Sequence, residues 1–265
     1  DNDDNSTPGT SNNRGGGGGS SNNCTSFSIN IPTLTACKPE TNIAVICGTD
    51  LQGDQTFKFW SSYSSPSSGT EQVKINDTDI STSSSGTDIT LNFTDGNAIF
   101  KVQYDDAGQV TLDTTFDNDG LALSANSTFV SMPASIVAYS DDTNASCVNG
   151  DESCSVFKKA GEEFDLKVNA ACWLENDDAD YSNNPVTQNF KLNGISITHN
   201  LISPAPTPDP ADGKNGAILA NTFNFPLNNG TSTINQSISE VGVFTFALSA
   251  PDYLGETLTT TTSSN

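Results

Sequence analysis

Histidine, methionine and basic side chains are scarce in this chain of 265 residues. It has one histidine, one methionine and 10 lysine or arginine residues against 32 aspartate or glutamate residues, for a net charge of −22. So acidic a protein repels phosphate groups, and we therefore expect no nucleic-acid partner. No apolar run approaches the ~20 residues that a membrane-spanning helix needs, so we also expect no membrane insertion.

The usual parts of a nucleophilic catalytic site are also missing. His199 is the only imidazole, and no Gly-x-Ser-x-Gly motif accompanies it. A pair of carboxylates could still serve a glycoside hydrolase, but the acidic residues of this chain cluster in turns. We therefore expect a non-enzymatic protein without catalytic residues, and we keep a secreted hydrolase only as a third interpretation.

The cysteines lack the spacing that is typical of metal ligands. No Cys-x-x-Cys motif occurs, and one histidine cannot build a mixed zinc site. An even number of cysteines without such spacing indicates disulfides, and hence an oxidising, extracellular location. The six disulfide candidates are Cys24, Cys37, Cys47, Cys147, Cys154 and Cys172.

Short segments of alternating apolar and polar residues are what the chain has in abundance. Each is bounded by Gly, Asn, Asp or Pro, which is typical of antiparallel β-sandwiches. These predicted strands are residues 28–31, 89–93, 99–104, 110–112, 164–168, 190–192, 195–197, 223–225 and 243–248. No window shows convincing helical spacing, so the pattern predicts an all-β fold.

The chain divides into a tail and two similar halves. Residues 1–22 contain no apolar residue except Pro8 and include a run of five glycines, which predicts a disordered or extended linker. Residues 93–112 and 239–255 share the order turn, glycine, aromatic-centred strand, Asp/Tyr pair and glycine. We therefore predict two tandem immunoglobulin-like sandwiches, at residues 23–130 and 131–265.

The densest acidic segment follows a tryptophan in the second half. Hard carboxylate oxygens on a loop are what calcium requires, so Asp177, Asp178 and Asp180 are candidate ligands, with a solvated acidic turn as the alternative. Loop tips of sandwiches commonly carry binding functions. Trp173 and Glu175, at the base of the 176–185 loop, are therefore candidate binding residues, and the proline-rich 203–213 loop is a second candidate region.

Several motifs resemble those of one bacterial family. The strings at residues 239–246 and 252–255 look like the closing strands of the C-terminal domain of MshQ-type proteins, which belong to mannose-sensitive haemagglutinin (MSHA) pilus biogenesis. Residues 159–164, 171–173 and 216–219 fit the same pattern, while residues 35–40 and 104–108 resemble the preceding immunoglobulin-like module. The resemblance covers about residues 23–258. It implies a pilus-associated location and no catalytic residues, and the lectin-like domain of larger members has no match here.

Together these features predict an extracellular, pilus-associated or adhesin-like surface module that spaces or presents a binding region. Its expected partners are pilus or filament subunits, or a host or environmental surface ligand, and it needs no cofactor, with calcium as a candidate ion. The alternative is a structural subunit or cap of an extracellular filament, assembled by β-strand pairing.

Two disulfide patterns remain open from the sequence. The start of one antiparallel strand lies beside the end of the next, which favours Cys24–Cys47, and a local bridge Cys147–Cys154 would close a turn-rich loop. If the sandwiches stack end to end, the remaining Cys37 and Cys172 face each other across the junction. The competing pattern pairs Cys37 with Cys47 and leaves Cys24 bound elsewhere.

Overall fold

The computed structural model describes residues 26–46, 51–118, 121–178, 180–205, 213–227 and 229–262. The predicted tail at 1–22, the candidates Cys24 and Cys47, and most of the 203–213 loop lie outside these residues. Sixteen strands are present among the described residues. The helical structure there consists of two single 3-10 turns, Thr143–Ala145 and Tyr181–Asn183, and neither could cross a membrane. The all-β prediction is confirmed.

The first domain is built from nine strands joined in one sheet. They are β1 Leu34–Thr35, β2 Glu40–Ile46, β3 Gly53–Ser65, β4 Val73–Ile75, β5 Thr78–Asp79, β6 Thr87–Thr94, β7 Asn97–Tyr104, β8 Gly108–Asn118 and β9 Leu121–Met132. Their order is β1-β9-β8-β3-β6-β7-β4-β5, with β2 also paired to β7. Strand β7 pairs first with β6 and then with β4, so the sheet divides there into two layers around one core.

Alternating side chains of β6 and β7 pack into that core. Every second residue from Ile89 to Phe93 and from Ala98 to Tyr104 is buried and those between are exposed or half-buried, as expected where one face of a sheet meets a core. Phe57 lies at the centre, with its ring 4.7 Å from that of Phe116 and 5.4 Å from that of Phe93. Aromatic pairs at such distances add about 0.5–1.5 kcal/mol beyond the area they bury.

The predicted strand at residues 28–31 is wrong. This segment has only an isolated bridge at Ser28, and the first strand begins at Leu34. Ile29 and Ile31 are nevertheless buried in the first core, and the Ile31 N–H donates to Ser127 Oγ at 3.1 Å. The following Pro32 has no N–H to give to a ladder, so the segment packs by its side chains instead.

The second domain is a sandwich of two sheets. Its strands are β10 Ser135–Tyr139, β11 Phe164–Ala171, β12 Leu192–Ser203, β13 Thr222–Phe225, β14 Thr231–Gln236, β15 Val243–Ser249 and β16 Thr260–Thr262. One sheet has the order β14-β11-β10-β16 and the other β13-β12-β15. All pairs are antiparallel except β10 with β16.

The second core extends up to the first domain. It contains Val168, Ile195 and Ile197 in its interior, and it also takes in Ala107 and Val130 from strands or turns of the first domain. Residues that belong to one sandwich by sequence therefore help to fill the core of the other. This shared packing places the functional candidates described below.

Candidate functional site: the domain junction and its cleft

A disulfide joins the two domains. Cys37 lies in the turn after β1 and bonds to Cys172, which directly follows β11, with 5.5 Å between their Cα atoms. This is the pairing that end-to-end stacking predicts, and it excludes the competing Cys37–Cys47 bridge. The neighbouring backbone reinforces the link, because the Trp173 N–H donates to the Ala36 carbonyl at 3.1 Å.

A buried carboxylate forms a second link across the junction. Asp106 is 1% exposed, and its Oδ1 accepts the N–H of Asn189 from the second domain at 2.9 Å and that of Ala107 at 2.7 Å. Its Oδ2 is buried without a hydrogen-bond partner among the described residues. Burial away from water raises the pKa of Asp106, since it disfavours the charged form.

Aromatic side chains surround this part of the junction. Tyr253 packs on Phe190, with ring centroids 4.9 Å apart, and Phe190 in turn contacts Phe225 at 5.1 Å. Burial, followed by the charge of Asp106, raises the pKa of Tyr253. At the rim, Thr33 Oγ1 donates to Glu256 Oε1 at 2.9 Å, so covalent, polar and apolar contacts all join the same two surfaces.

An open cleft of about 580 Å³ lies beside the disulfide, between the two domains. We call it the interdomain cleft. Both cysteines of the bridge line it, and the candidate binding residues Trp173 and Glu175 line its second-domain side. The sequence prediction placed these two residues at the base of a loop, and the structure places them at the junction.

Carboxylates dominate the polar lining of the cleft. Asp105 forms an ion pair with Lys74 and accepts a hydrogen bond from Gln103 Nε2 at 2.5 Å. The hydrogen bond to Asp105 is the main cause that raises the pKa of Lys74. Glu71 and Glu175 form no ion pair and no side-chain hydrogen bond among the described residues, so the cleft keeps two unpaired negative charges.

The structure does not assemble the candidate calcium ligands. Asp177 accepts a hydrogen bond from Asn184 Nδ2 at 2.8 Å, and Asp178 accepts the Asp180 N–H at 3.0 Å. Asp180 caps the short Tyr181–Asn183 turn by accepting from Ser182. In the part of the chain that the structure describes, no three acidic, histidine or cysteine residues are grouped so as to hold a metal ion. These carboxylates instead order their own loop.

The remaining sequence candidates lie away from the cleft. Cys147 and Cys154 form a disulfide that closes the local loop, as the spacing predicts. His199 lies on β12, with its Nε2 2.8 Å from the Asn215 carbonyl oxygen and its ring near those of Phe244 and Phe246. Its polar partner is therefore a backbone carbonyl in a neighbouring loop.

The sequence did not predict that residues of the first domain line the cleft. Glu71 and Gln103 carry no motif, and they meet Trp173 only because the domains dock at this point. Asp105 and Asp106 stand together in the sequence and look like a solvated turn. One signal was available, because an aspartate pair directly before Ala107-Gly108 marks the turn between two predicted strands.

Two family models match consecutive parts of the chain. Residues 21–132 match the first Ig-like domain of a domain of unknown function, DUF6701, and residues 132–237 match the second domain of DUF6701. Together they support the predicted tandem immunoglobulin-like architecture. No curated protein sequence matches the chain.

Several solved two-domain structures align with most of the chain. The D0–D1 domains of intimin align at 16% identity with a TM-score of 0.25, covering 86% of this chain and 92% of that one. Titin domains A164–A165 align at 10% identity with a TM-score of 0.25, covering 89% and 95%. Domains 5–6 of the S-layer protein SbsC align at 17% identity with a TM-score of 0.22, covering 82% and 86%.

Proposed function

Because the chain belongs to the DUF6701 family, with the first and second domains of that family in tandem, we propose that it is a non-enzymatic extracellular spacer. In this role the two sandwiches form a stiff unit that holds a binding region at a fixed distance from its anchor. The observation that carries the proposal is the Cys37–Cys172 disulfide across the domain junction.

The junction contacts support a fixed domain arrangement. Domain interfaces within a chain are often mobile, unless they are large and apolar. Here a covalent bridge, the buried Asp106–Asn189 hydrogen bond and a core that includes Ala107 and Val130 act on one interface. A hinge between the domains would have to break the polar link and expose part of that core.

The disulfides and the acidic composition support a location outside the cell. Disulfides persist in oxidising compartments, and two are present among the described residues. The net charge of −22 favours solubility and disfavours phosphate-bearing partners. Following the resemblance to MshQ-type proteins, the anchor is a pilus or a pilus-associated assembly, and the partners are its subunits or a surface ligand.

Removing the interdomain bridge tests the spacer function. Small-angle X-ray scattering of the full chain should show one rigid shape, whereas Cys37→Ser/Cys172→Ser should scatter as a more flexible molecule with a broader range of dimensions. The double variant Cys147→Ser/Cys154→Ser is the matched control, since its bridge closes a local loop, and its scattering should equal that of the wild type. A wild type as flexible as the junction variant would refute the spacer.

Non-reducing peptide mapping tests the Cys37–Cys172 bridge directly. A fragment that joins residue 37 to residue 172 is the expected result. Bridges confined within each half of the chain would contradict the proposal independently of the scattering data.

The filament subunit remains the second candidate because, among the described residues, the second domain has strands at the edges of its sheets. In that part of the chain, strands β13, β14 and β15 each pair with one neighbouring strand. Open edges of this kind accept a strand from another chain. The test of this alternative is argued with the tail in the Discussion.

A further inference from the structure

The interdomain cleft combines an aromatic surface with two carboxylates from different domains. Trp173 is half-buried and Leu174 is 38% exposed, so both offer apolar surface to a ligand. Glu71 comes from the segment before β4, and Glu175 from the segment after β11. An occupant that meets both carboxylates therefore has to lie across the domain junction.

Neither Glu71 nor Glu175 forms an ion pair among the described residues, although the charge of Glu71 is the smallest of the causes that affect the pKa of nearby Lys74. Among the described residues, Lys74 is taken up by Asp105, and Lys38, next to the lining residue Cys37, pairs with Glu40 at 3.0 Å. The protein as a whole is strongly acidic, so the surrounding field adds to the local attraction for a positive charge. A cationic group would therefore complement the charge of this cleft.

We propose that the interdomain cleft binds an arginine side chain presented by a partner protein, with the guanidinium between Glu71 and Glu175 and against the indole of Trp173. A guanidinium is planar, stacks on aromatic rings and donates five N–H groups in a fixed fork that suits carboxylates. Its aliphatic stem packs on apolar surface such as Leu174 while the charged head stays at the rim. A lysine ammonium has the charge without the flat, stacking shape, so it binds less tightly.

This site goes beyond the proposed spacer function, because a rigid molecule could still leave the cleft empty. Its dependence on both domains nevertheless links the two. Binding at Glu71 and Glu175 together requires that the junction hold them at one spacing.

Titration with blocked tripeptides tests the proposal on the full chain. Acetyl-Gly-Arg-Gly-amide is added to ¹⁵N-labelled protein, and the two indole N–H signals are followed by NMR, since the chain has two tryptophans. The Trp173 signal should shift and saturate, while that of Trp60, in β3 of the first domain, stays in place as an internal control. The matched peptide with citrulline, which has the same shape without the charge, should bind at least tenfold more weakly.

Charge-neutralising variants distinguish arginine binding in the cleft from a general attraction of cations to an acidic protein. Glu71→Gln/Glu175→Gln should weaken arginine binding at least fivefold, and Glu152→Gln/Glu240→Gln, which removes two exposed charges outside the cleft, should leave it unchanged. Melting curves verify that each variant folds, and Glu175→Lys provides a second variant with the charge reversed. Equal shifts of both indole signals, equal binding of citrulline, or no shift at tens of millimolar peptide would each overturn the proposal.

Discussion

Asp106 is a carboxylate whose burial at the junction opposes its charged form. It is 1% exposed, has no basic partner, and leaves Oδ2 without a hydrogen bond among the described residues. A buried, unpaired charge is expensive, and the carboxylate is retained here because its Oδ1 satisfies two backbone N–H groups that would otherwise be buried without an acceptor. The charge of Asp106 therefore destabilises the fold, while its hydrogen bond with Asn189 stabilises the domain junction.

Two substitutions at this position should differ in their effect on stability. Asp106→Ala leaves the N–H groups of Ala107 and Asn189 without an acceptor, and each such loss costs about 1–3 kcal/mol. Asp106→Asn keeps an oxygen for both donors and removes the buried charge, but it places an amide NH2 where Oδ2 has no partner among the described residues, so it should lose less unfolding free energy than Asp106→Ala at pH 7. Urea unfolding measures both, and an alanine variant as stable as the asparagine variant would contradict this account.

The raised pKa of Asp106 also predicts how stability depends on pH. Below about pH 4, the usual value for aspartate, the carboxyl is protonated in both the folded and the unfolded state and costs nothing. As pH rises from there to the raised native pKa, only the unfolded state loses its proton, so the folded state loses stability. The unfolding free energy of Asp106→Asn relative to that of the wild type should therefore rise across this interval and then level off. A difference that stays constant with pH would refute the burial effect.

At the residue scale, features that depend on neighbours in the sequence could be predicted, whereas features that depend on the docking of the two domains could not. The Cys147–Cys154 bridge follows from two cysteines around a turn-rich loop, and Trp173 was marked by its position beside an acidic segment. The burial of Asp106 could not be predicted, because it depends on the position of the second domain, which no local sequence pattern encodes. The hydrogen bonds of the three aspartates in the 176–185 loop, Asp177, Asp178 and Asp180, were not predictable either. Their oxygens accept hydrogen bonds from nearby backbone and amide groups.

At the element scale, most segments with alternating apolar residues are strands, with residues 28–31 as an exception, and strands rich in serine and threonine were missed. The segments predicted at 89–93, 99–104 and 243–248 lie within β6, β7 and β15. Strand β3, the longest, was missed because its buried positions include Ser61, which is fully buried between aromatic residues. In β14 a single apolar residue, Ile234, marks the core-facing side. Pairing with neighbours, rather than side-chain pattern, determines these strands.

The entry to β14 offers a test of backbone geometry. Gly230 has φ = +57°, and a Cβ at this position would lie 2.7 Å from Val186 Cβ and 2.8 Å from the Thr187 carbonyl oxygen. Its own carbonyl accepts the Ala170 N–H, so the residue cannot move away without breaking that bond. Gly230→Ala should therefore lose about 2–4 kcal/mol of unfolding free energy, from the left-handed backbone and the overlap together.

Gly53→Ala is the matched control, because Gly53 has φ = +71° but no atom of the described residues lies within 4 Å of the point that an alanine methyl group would occupy. It should lose only the backbone cost of about 1–2 kcal/mol. Equal losses at both sites, measured by urea unfolding, would show that the contact with Val186 and Thr187 is easily relieved.

At the scale of the whole molecule, the two domains are not separable at a single residue. The division at 130 and 131 predicted from sequence falls where Val130 already belongs to the second core. Strand β1 pairs in parallel with the end of β9 and then turns into Cys37, so the start of the first domain also reaches the junction. Periodicity could predict two sandwiches because each has its own strands, but not their docking, which depends on contacts between residues far apart in sequence.

The tail at residues 1–22 distinguishes the spacer from the filament subunit. It lies outside the described residues, and its sequence contains no apolar residue except Pro8, so it has almost no surface with which to stabilise a domain. Deleting it should change the unfolding free energy by less than about 0.5 kcal/mol and leave a discrete monomer on gel filtration at micromolar concentration. A variant with the same 22 residues in shuffled order controls for length and composition. Loss of more than about 1 kcal/mol, or association that the deletion and the shuffled tail both abolish, would show that this tail pairs with the open edges of β13, β14 or β15 and would favour the filament.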